Sequence, residues 1–137
     1  MKNESPIEFA PNRELTWKEV SEVHRSRNGV YQRNGALISL LTDLGAISKC
    51  YPDVESKDGE TLFYTGAGRR GDQKTDIFNN SLIDAIRSGQ SVPLFCKLKV
   101  NCWRYMGYWV VTDSEYVRDM QNERMIWRFV LKKAAGD

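Results

Sequence analysis

The stretch LFYTGAGRRGDQK at residues 62–74, followed by FNNSLIDAIR at residues 78–87, is the most informative part of the chain. Residues 61–65 alternate polar and apolar side chains, which is typical of a half-buried β-strand. Three glycines punctuate residues 66–74 and predict a loop. The second segment carries apolar residues on one face at helical spacing, and Gly89 follows as a stop signal. The sequence therefore predicts a strand, a loop and a helix in this order.

Further along the chain, strands are predicted to dominate. Residues 92–100, 103–112 and 125–132 are rich in aromatic and β-branched side chains and are bounded by polar or turn residues. The apolar run at residues 35–42 is either a buried strand or a short helix, since periodicity alone does not separate the two. These features indicate an α+β fold in which a curved sheet or small β-barrel packs against one or two helices.

The N-terminal region is predicted to contain one short helix. Residues 15–24, LTWKEVSEVH, place apolar side chains at helical spacing. Thr16 is the expected N-cap, and Glu19 three residues later completes a capping box. The chain is therefore divided into a lead-in, one domain and a tail, at residues 1–24, 25–132 and 133–137.

Composition excludes several classes of protein. The 137 residues hold 20 Lys and Arg against 18 Asp and Glu, a net charge of +2, so an anionic partner must be met by a local basic patch. We find no apolar run long enough for a membrane span and no signal-peptide core, so no membrane partner is expected. Three cysteines without a CxxC pair and one histidine indicate no disulfide framework, no metal site and no cofactor.

Catalytic residues are not evident in the sequence. His24 lies among arginines in a polar turn, where an exposed side chain without a placed partner is a poor general base. Cys96 is expected to be a small core residue, whereas Cys50 and Cys102 border loops. The carboxylates are scattered, without nuclease or glycosidase spacing. We therefore expect a binding module and not an enzyme.

The basic residues concentrate in the middle of the chain. Arg69 and Arg70 lie on a glycine hinge that lacks the lysine of a P-loop, so this segment is either a phosphate clamp or a solvated turn. A second cluster surrounds a predicted turn and comprises Arg25, Arg27, Tyr31, Gln32 and Arg33. A third comprises Lys97, Lys99 and Arg104.

The order of motifs resembles the SRA (SET- and RING-associated, also called YDG) domain. The resemblance covers about residues 25–132 and rests on six short motifs. These are YTGAG at 64–68, DQ at 72–73, NSL at 80–82, VPL at 92–94, YMGYWV at 105–110 and WRFVL at 127–131. Two departures are Met106, where the family has the Asp of Y-D-G, and the short loop between Gly68 and Asp72.

This resemblance implies a PUA-like, curved β-barrel that binds double-stranded DNA and flips a modified cytosine, 5-methyl or 5-hydroxymethyl, into an aromatic pocket. By this resemblance, Tyr64 and Tyr51 match the two aromatic residues that stack on the base. Asp53 matches the acceptor for the cytosine N4 amine, and the Thr65 backbone is a further candidate for contact with the base edge. Alternatively, Tyr64 is a core residue and Tyr51 a turn aromatic. The implied duplex contacts come from one loop with Arg69, Arg70, Gln73 and Lys74, and from another with Val30, Tyr31, Gln32, Arg33, Arg25 and Arg27.

The resemblance also implies a role as the specificity module of a modification-dependent restriction system. Any nuclease would lie on another domain or a partner subunit. The expected location is the cytoplasm, with the nucleoid, in a prokaryote and the nucleus in a eukaryote. Two alternatives stay open: a PUA-like RNA-binding module, and a small nucleotide- or base-acting enzyme with Cys102 or Asp72 reactive.

Overall fold

The computed structural model describes residues 9–10 and 12–134. The outer parts of the predicted lead-in and tail, residues 1–8 and 135–137, lie outside the described residues. The described part contains eight strands and two helices. In chain order these are β1 (Glu14–Leu15), α1 (Trp17–Ser21), β2 (Val30–Arg33), β3 (Ala36–Thr42), β4 (Val54–Glu55), β5 (Thr61–Thr65), α2 (Ile77–Ser88), β6 (Ser91–Lys99), β7 (Cys102–Asp119) and β8 (Arg124–Lys133).

The strands form one sheet in the order β2-β3-β6-β7-β8-β5-β4, and β1 pairs with β7 off this path. β3 and β6 pair in parallel, and the other pairs are antiparallel. Register shifts in β2–β3, β6–β7 and β7–β8 bend the strands locally. Within the described residues, β2 and β4 end the sheet without pairing to each other, so the sheet is not a closed barrel. The predicted α+β class is confirmed.

The predicted strand, loop and helix at residues 61–89 are present. β5 covers the alternating segment, and α2 begins after Asp76, whose side chain accepts a hydrogen bond from the Asn79 N–H at 2.9 Å. α2 ends at Gly89, which has a left-handed φ of 69°. The ambiguous apolar run at residues 35–42 forms the strand β3.

The N-terminal helix is shorter than predicted. α1 carries the predicted capping box of Thr16 and Glu19, but Leu15 belongs to β1 and pairs with Trp103. Leu15 and Val20 are buried against Phe95 and Trp103. This part of the lead-in therefore packs into the same folded unit as the sheet.

Two sequence predictions about strands are wrong. Val30, Tyr31 and Gln32 do not form a loop but lie on β2, since Val30 is buried and an Asn34-Gly35 turn with positive φ at both residues returns the chain into β3. β7 continues beyond residue 112 to Asp119, because it pairs with β8 as far as Arg124.

The core has two clusters. The larger lies between the sheet and α2, and includes Leu40, Leu82, Trp109 and Phe129. The smaller lies under α1 and contains Phe95 and Trp103. The predicted core positions of the strand tryptophans agree with this packing, although Trp127 is only partly buried. Neither helix of the described part has the length and apolar character that crossing a bilayer requires.

Candidate nucleic-acid interface

A cavity of about 530 Å³ lies where the ends of β3 and β5 meet the turn at residues 25–29 and the loop at residues 66–71. This volume is within the roughly 300–1,000 Å³ of small-ligand sites. All four residues predicted for a base pocket line it: Tyr51, Asp53, Tyr64 and Thr65. The fold therefore brings these four residues to one place.

Asp53 is the buried carboxyl group of this cavity, with 5% of its surface exposed. The Thr65 N–H donates a hydrogen bond to Oδ1, and the Thr42 hydroxyl donates one to Oδ2, both at 2.6 Å. Burial raises the pKa of Asp53 to about 7, although the hydrogen bonds from both threonines lower it. Each carboxyl oxygen retains acceptor capacity, so Asp53 can still accept a hydrogen bond from a ligand. Thr65, predicted to contact the base edge, uses its N–H to hold Asp53.

Tyr64 is both a core residue and a wall of the cavity. Only 3% of its surface is exposed, and it belongs to the larger core cluster. Its hydroxyl donates to the Leu41 carbonyl at 2.8 Å. Burial raises the pKa of Tyr64 well above its ordinary value, so the phenol stays neutral and remains a donor. The two alternatives from the sequence therefore coexist in one side chain.

Tyr51 is the more accessible aromatic of the site. It is half-buried and precedes Asp53 in a tight turn, in which the Asp53 N–H donates to the Tyr51 carbonyl at 2.8 Å. Burial raises the pKa of the Tyr51 phenol, while Arg69 and the Gly68 N–H act in the opposite direction. Tyr51 therefore lies beside the glycine-rich loop, with part of its ring free to contact a ligand.

The glycine-rich loop is built around two buried amide side chains. Gln73 donates to the carbonyls of Gly66 and Gly68 at 2.7 and 3.1 Å and accepts from the Trp127 N–H at 2.9 Å. Asn79 accepts from the Ala67 N–H at 2.7 Å. A Cβ at Gly66 would lie 2.5 Å from Asn79 Oδ1, so this position requires glycine. The loop is thus tightly fixed at its base.

These contacts correct one sequence assignment. Gln73, predicted to contact DNA, is 3% exposed, and both ends of its amide are bonded within the fold. Asn79, the residue before the NSL motif, is buried, whereas Asn80 is exposed. The side chains of Gln73 and Asn79 therefore hold the loop in place.

Arg124 joins the two sides of the site and was missed by sequence reasoning. It is 5% exposed, and its guanidinium donates to the carbonyls of Gly68, Gly71 and Cys50 at 2.8, 3.1 and 2.7 Å. The Gly68 and Gly71 carbonyls belong to the loop, and the Cys50 carbonyl adjoins Tyr51. An arginine that ends a polar stretch, just before a predicted strand, carries no sequence signal for such a bridge.

The predicted basic residues fall into two groups. Arg69 and Arg27 line the cavity. Four others are exposed and do not line it, namely Arg25, Arg33, Arg70 and Lys74. Tyr31 and Gln32 are half-buried on β2: the Tyr31 ring packs on His24, and Gln32 Oε1 accepts from the Gly35 N–H. Arg70 shares the loop tip with Arg69, between Gly68 and Gly71.

His24 is fully buried and not exposed in a turn as predicted. Its Nε2 donates to the Asn28 carbonyl at 2.6 Å, because a carbonyl only accepts, and its Nδ1 then accepts from the Ser39 hydroxyl at 2.7 Å. Burial lowers the pKa of His24 to about 4. The neutral ring therefore fixes the turn that carries Arg27.

The groups considered for catalysis do not converge on the cavity. Cys102 Sγ lies 3.7 Å from Glu14 Oε1, and Asp72 accepts from the Met125 N–H at 2.8 Å. Neither residue lines the cavity. In the described part of the chain, no three His, Cys, Asp or Glu side chains are grouped as metal ligands.

The Asp53 pKa predicts a specific pH dependence of stability. A folded pKa of about 7 against an ordinary value of 3.8 means that the folded state retains a proton that the unfolded state loses. The stability from this group is therefore full below about pH 4 and is lost as the pH rises through 7. The unfolding free energy of wild type minus that of Asp53→Asn should therefore fall as the pH rises over this range, by up to about 1.4 kcal/mol per pH unit.

Urea unfolding at pH 4.5, 5.5, 6.5 and 7.5 measures this difference. His24 has the opposite sign, because its lowered pKa makes stability decline as the pH falls from 6.5 to 4. Because His24 is present in both proteins, its contribution cancels in the difference between their unfolding free energies. A difference that does not change with pH would contradict the assignment.

Comparisons with known proteins agree with this architecture. The chain matches the structure of the SUVH5 SRA domain in complex with hemimethylated CG DNA, with a TM-score of 0.75 and 22% identity over 97% of this chain and 96% of that one. It matches the SUVH5 SRA domain bound to fully hydroxymethylated CG DNA with a TM-score of 0.69 and 21% identity, covering 96% and 89%. The modification-dependent TagI restriction endonuclease matches with a TM-score of 0.74 and 16% identity, over 92% of this chain but 50% of that one.

At these identities the structural matches establish the fold. The model of the family described as "ScoMcrA-like, SRA domain" matches residues 18–135, which is most of the chain. The chain therefore belongs to the SRA domain family. Within that family, the matching model is that of the ScoMcrA-like members. A comparison with curated proteins gave no match.

Proposed function

We propose that this SRA domain is a non-catalytic reader of double-stranded DNA that takes an extruded cytosine, carrying a 5-methyl or 5-hydroxymethyl group, into the cavity. The observation that carries this proposal is the buried carboxyl of Asp53 in a cavity lined by Tyr51 and Tyr64. The cavity is bordered by the exposed tip of the glycine-rich loop, which carries Arg69 and Arg70 and is called the arginine loop below. A buried carboxyl with free acceptor capacity fits a ligand that brings its own N–H donors.

The chemistry of cytosine suits this arrangement. Its exocyclic N4 amine is a donor, and a base outside the helix exposes its Watson–Crick edge to the protein. Asp53 accepts from that amine while the two threonines hold its carboxyl in place. A thymine presents a carbonyl oxygen at this position, which the ionised carboxylate of Asp53 would face unfavourably above its pKa of about 7.

The aromatic residues offset the cost of extrusion. Unstacking and unpairing a base costs a few kcal/mol, and stacking on an aromatic ring recovers about 1–3 kcal/mol. Tyr51, half-buried at the cavity, supplies a partly accessible ring for stacking on the base. Tyr64 supplies a fixed wall, since its hydroxyl is bonded to the β3 carbonyl of Leu41.

The arginine loop contacts the duplex. Arg69 and Arg70 are exposed at the tip, whereas the backbone of the loop is held by the side chains of Gln73, Asn79 and Arg124. A loop that is held in place by the fold and exposes cationic side chains at its tip suits phosphate binding or entry into the space that the nucleobase vacates. Gln73 positions the loop and does not bind DNA.

The biological setting proposed is a modification-dependent restriction system. The support is the TagI match, in which this chain spans half of that endonuclease, together with the SRA domains solved with methylated and hydroxymethylated DNA. The chain would supply specificity, and a nuclease domain or subunit would supply cleavage.

A binding panel tests the proposal. Otherwise identical duplexes carrying cytosine, 5-methylcytosine or 5-hydroxymethylcytosine at one position are titrated by gel shift at fixed salt. We expect at least one modified duplex to bind about tenfold or more tightly than the unmodified one, which corresponds to about 1.4 kcal/mol. Equal affinity for all three duplexes, or tighter binding of a single-stranded RNA of the same sequence, would refute the proposal.

A further inference from the structure

Two tryptophans and two cations form a continuous contact series beside the cavity. The Arg27 guanidinium lies 5.1 Å from the Trp17 ring centroid, and Lys97 Nζ lies 5.8 Å from that of Trp103. The two indole rings contact each other, with centroids 5.5 Å apart and an interplanar angle of 39°. We call these four residues, Arg27, Trp17, Trp103 and Lys97, the cation–tryptophan ladder.

The rings of the ladder are held by the fold. Trp17 is the first residue of α1, and its backbone N–H donates to Asn101 Oδ1 at 2.8 Å, which ties the helix to the β6–β7 turn. Trp103 is 7% exposed and lies opposite Lys97 in the β6–β7 register. Asn101 has a φ of 56°, which that turn requires. The rings therefore form a fixed platform under both cations.

Neither cation forms an ion pair with a carboxylate of the described residues. Within the described residues the one ion pair is Arg13 with Glu19, which involves neither Arg27 nor Lys97. Arg27, Lys97 and Trp103 all line the cavity that contains Asp53. The ladder thus presents two positive charges without an ion pair at the same cavity, and they come from the turn at residues 25–29 and from β6, which are elements other than the arginine loop.

We infer that the cation–tryptophan ladder binds backbone phosphates of the DNA strand from which the base is extruded, as a contact separate from that of the arginine loop. This inference rests on the proposed function. Cations that lie over aromatic faces are already partly ordered by the cation–π attraction. They lose less side-chain entropy on binding a phosphate than free lysines or arginines do. The ladder would fix the nucleotide's backbone while the cavity holds its base.

Salt dependence of binding tests the inference. Each phosphate neutralised contributes about 0.9 to the slope of log K against log salt. We expect Arg27→Gln and Lys97→Gln each to reduce the slope for the modified duplex by about 0.9, and the double variant by about 1.8. Lys97→Arg keeps the charge and should preserve the slope. The slopes are measured by fluorescence anisotropy between 50 and 300 mM salt, a range of about sixfold that resolves such changes.

Two controls separate a binding role from a general charge effect. Arg87 is exposed near the end of α2, about 13 Å along the helix from the cavity residue Phe78. Arg87→Gln should leave the slope unchanged. Trp17→Leu keeps both charges but removes one ring, so it should lower the affinity at an unchanged slope.

The outcomes distinguish this inference from the proposed function. If the wild-type domain prefers modified duplex but the two glutamine variants keep the wild-type slope, the ladder does not bind phosphate and the reader function stands. The ladder is likewise excluded as a phosphate site if Arg87→Gln lowers the slope as much as Lys97→Gln. If the wild-type domain shows no preference for modified duplex, the proposed function itself fails.

Discussion

Replacing Asp53 with alanine is expected to lower the affinity for modified duplex about 10- to 100-fold and to leave the affinity for unmodified duplex nearly unchanged. A good base-edge contact contributes about 1–3 kcal/mol, and Asp53 is the buried acceptor aimed at this cavity. The preference for a modified base can be expressed only when the base occupies the cavity. Binding through phosphates does not need Asp53, so the two affinities should converge.

The measurement is the same gel-shift panel, with circular dichroism to verify that the variant is folded. Asp43→Asn is the matched control. Asp43 also lines the cavity, but its carboxylate accepts from the backbone N–H groups of Gly45 and Ser48 at 2.8 and 2.6 Å. That variant should retain the preference. An Asp53→Ala protein that still discriminates would remove Asp53 from the recognition site.

Tyr64→Ala is expected to lower the free energy of unfolding by about 3–5 kcal/mol, the usual cost of removing a buried aromatic ring. Tyr64 is 3% exposed within the larger core cluster, and its hydroxyl links β5 to the end of β3. The loss is a large fraction of the roughly 5–15 kcal/mol that stabilises a typical domain. Chemical denaturation at pH 7 measures it.

Tyr64→Phe is the informative partner of this variant. It keeps the ring and removes only the hydroxyl, so it should cost about 1 kcal/mol and preserve the preference for modified duplex. A loss of stability in Tyr64→Ala below about 1 kcal/mol would show that the ring is not a core element. A loss of preference in Tyr64→Phe would show that the hydroxyl, and not the ring, acts on the base.

Sequence patterns predicted the central elements of the fold because their signals are local. The alternation before the glycine-rich loop, the Gly89 stop signal of α2 and the Thr16–Glu19 capping box all depend on residues a few positions apart. β2 was missed although its signal is also local: the Asn34-Gly35 pair is a two-residue hairpin turn. The second half of β7 was not predicted, because its residues are mostly polar. It forms a strand because it pairs with β8.

The candidate site was predictable only in part. The resemblance to a known family identified Tyr51, Asp53, Tyr64 and Thr65, and the fold places them around one cavity. It also assigned Gln73 to DNA, although burial commits that side chain to the loop. A residue type and its position along the chain do not reveal which way its side chain faces.

The sequence alone determined the local elements through short-range spacing, and its ordered motifs indicated the family and, by that resemblance, the residues of the candidate site. Tertiary structure alone decided the environment of each group. It buried Asp53 and so raised its pKa, enclosed His24, set Arg124 between the loop and Cys50, and stacked Trp17 on Trp103. The physical reason is that burial, pKa and cation–π contact depend on neighbours distant in sequence, which become neighbours only when the sheet assembles.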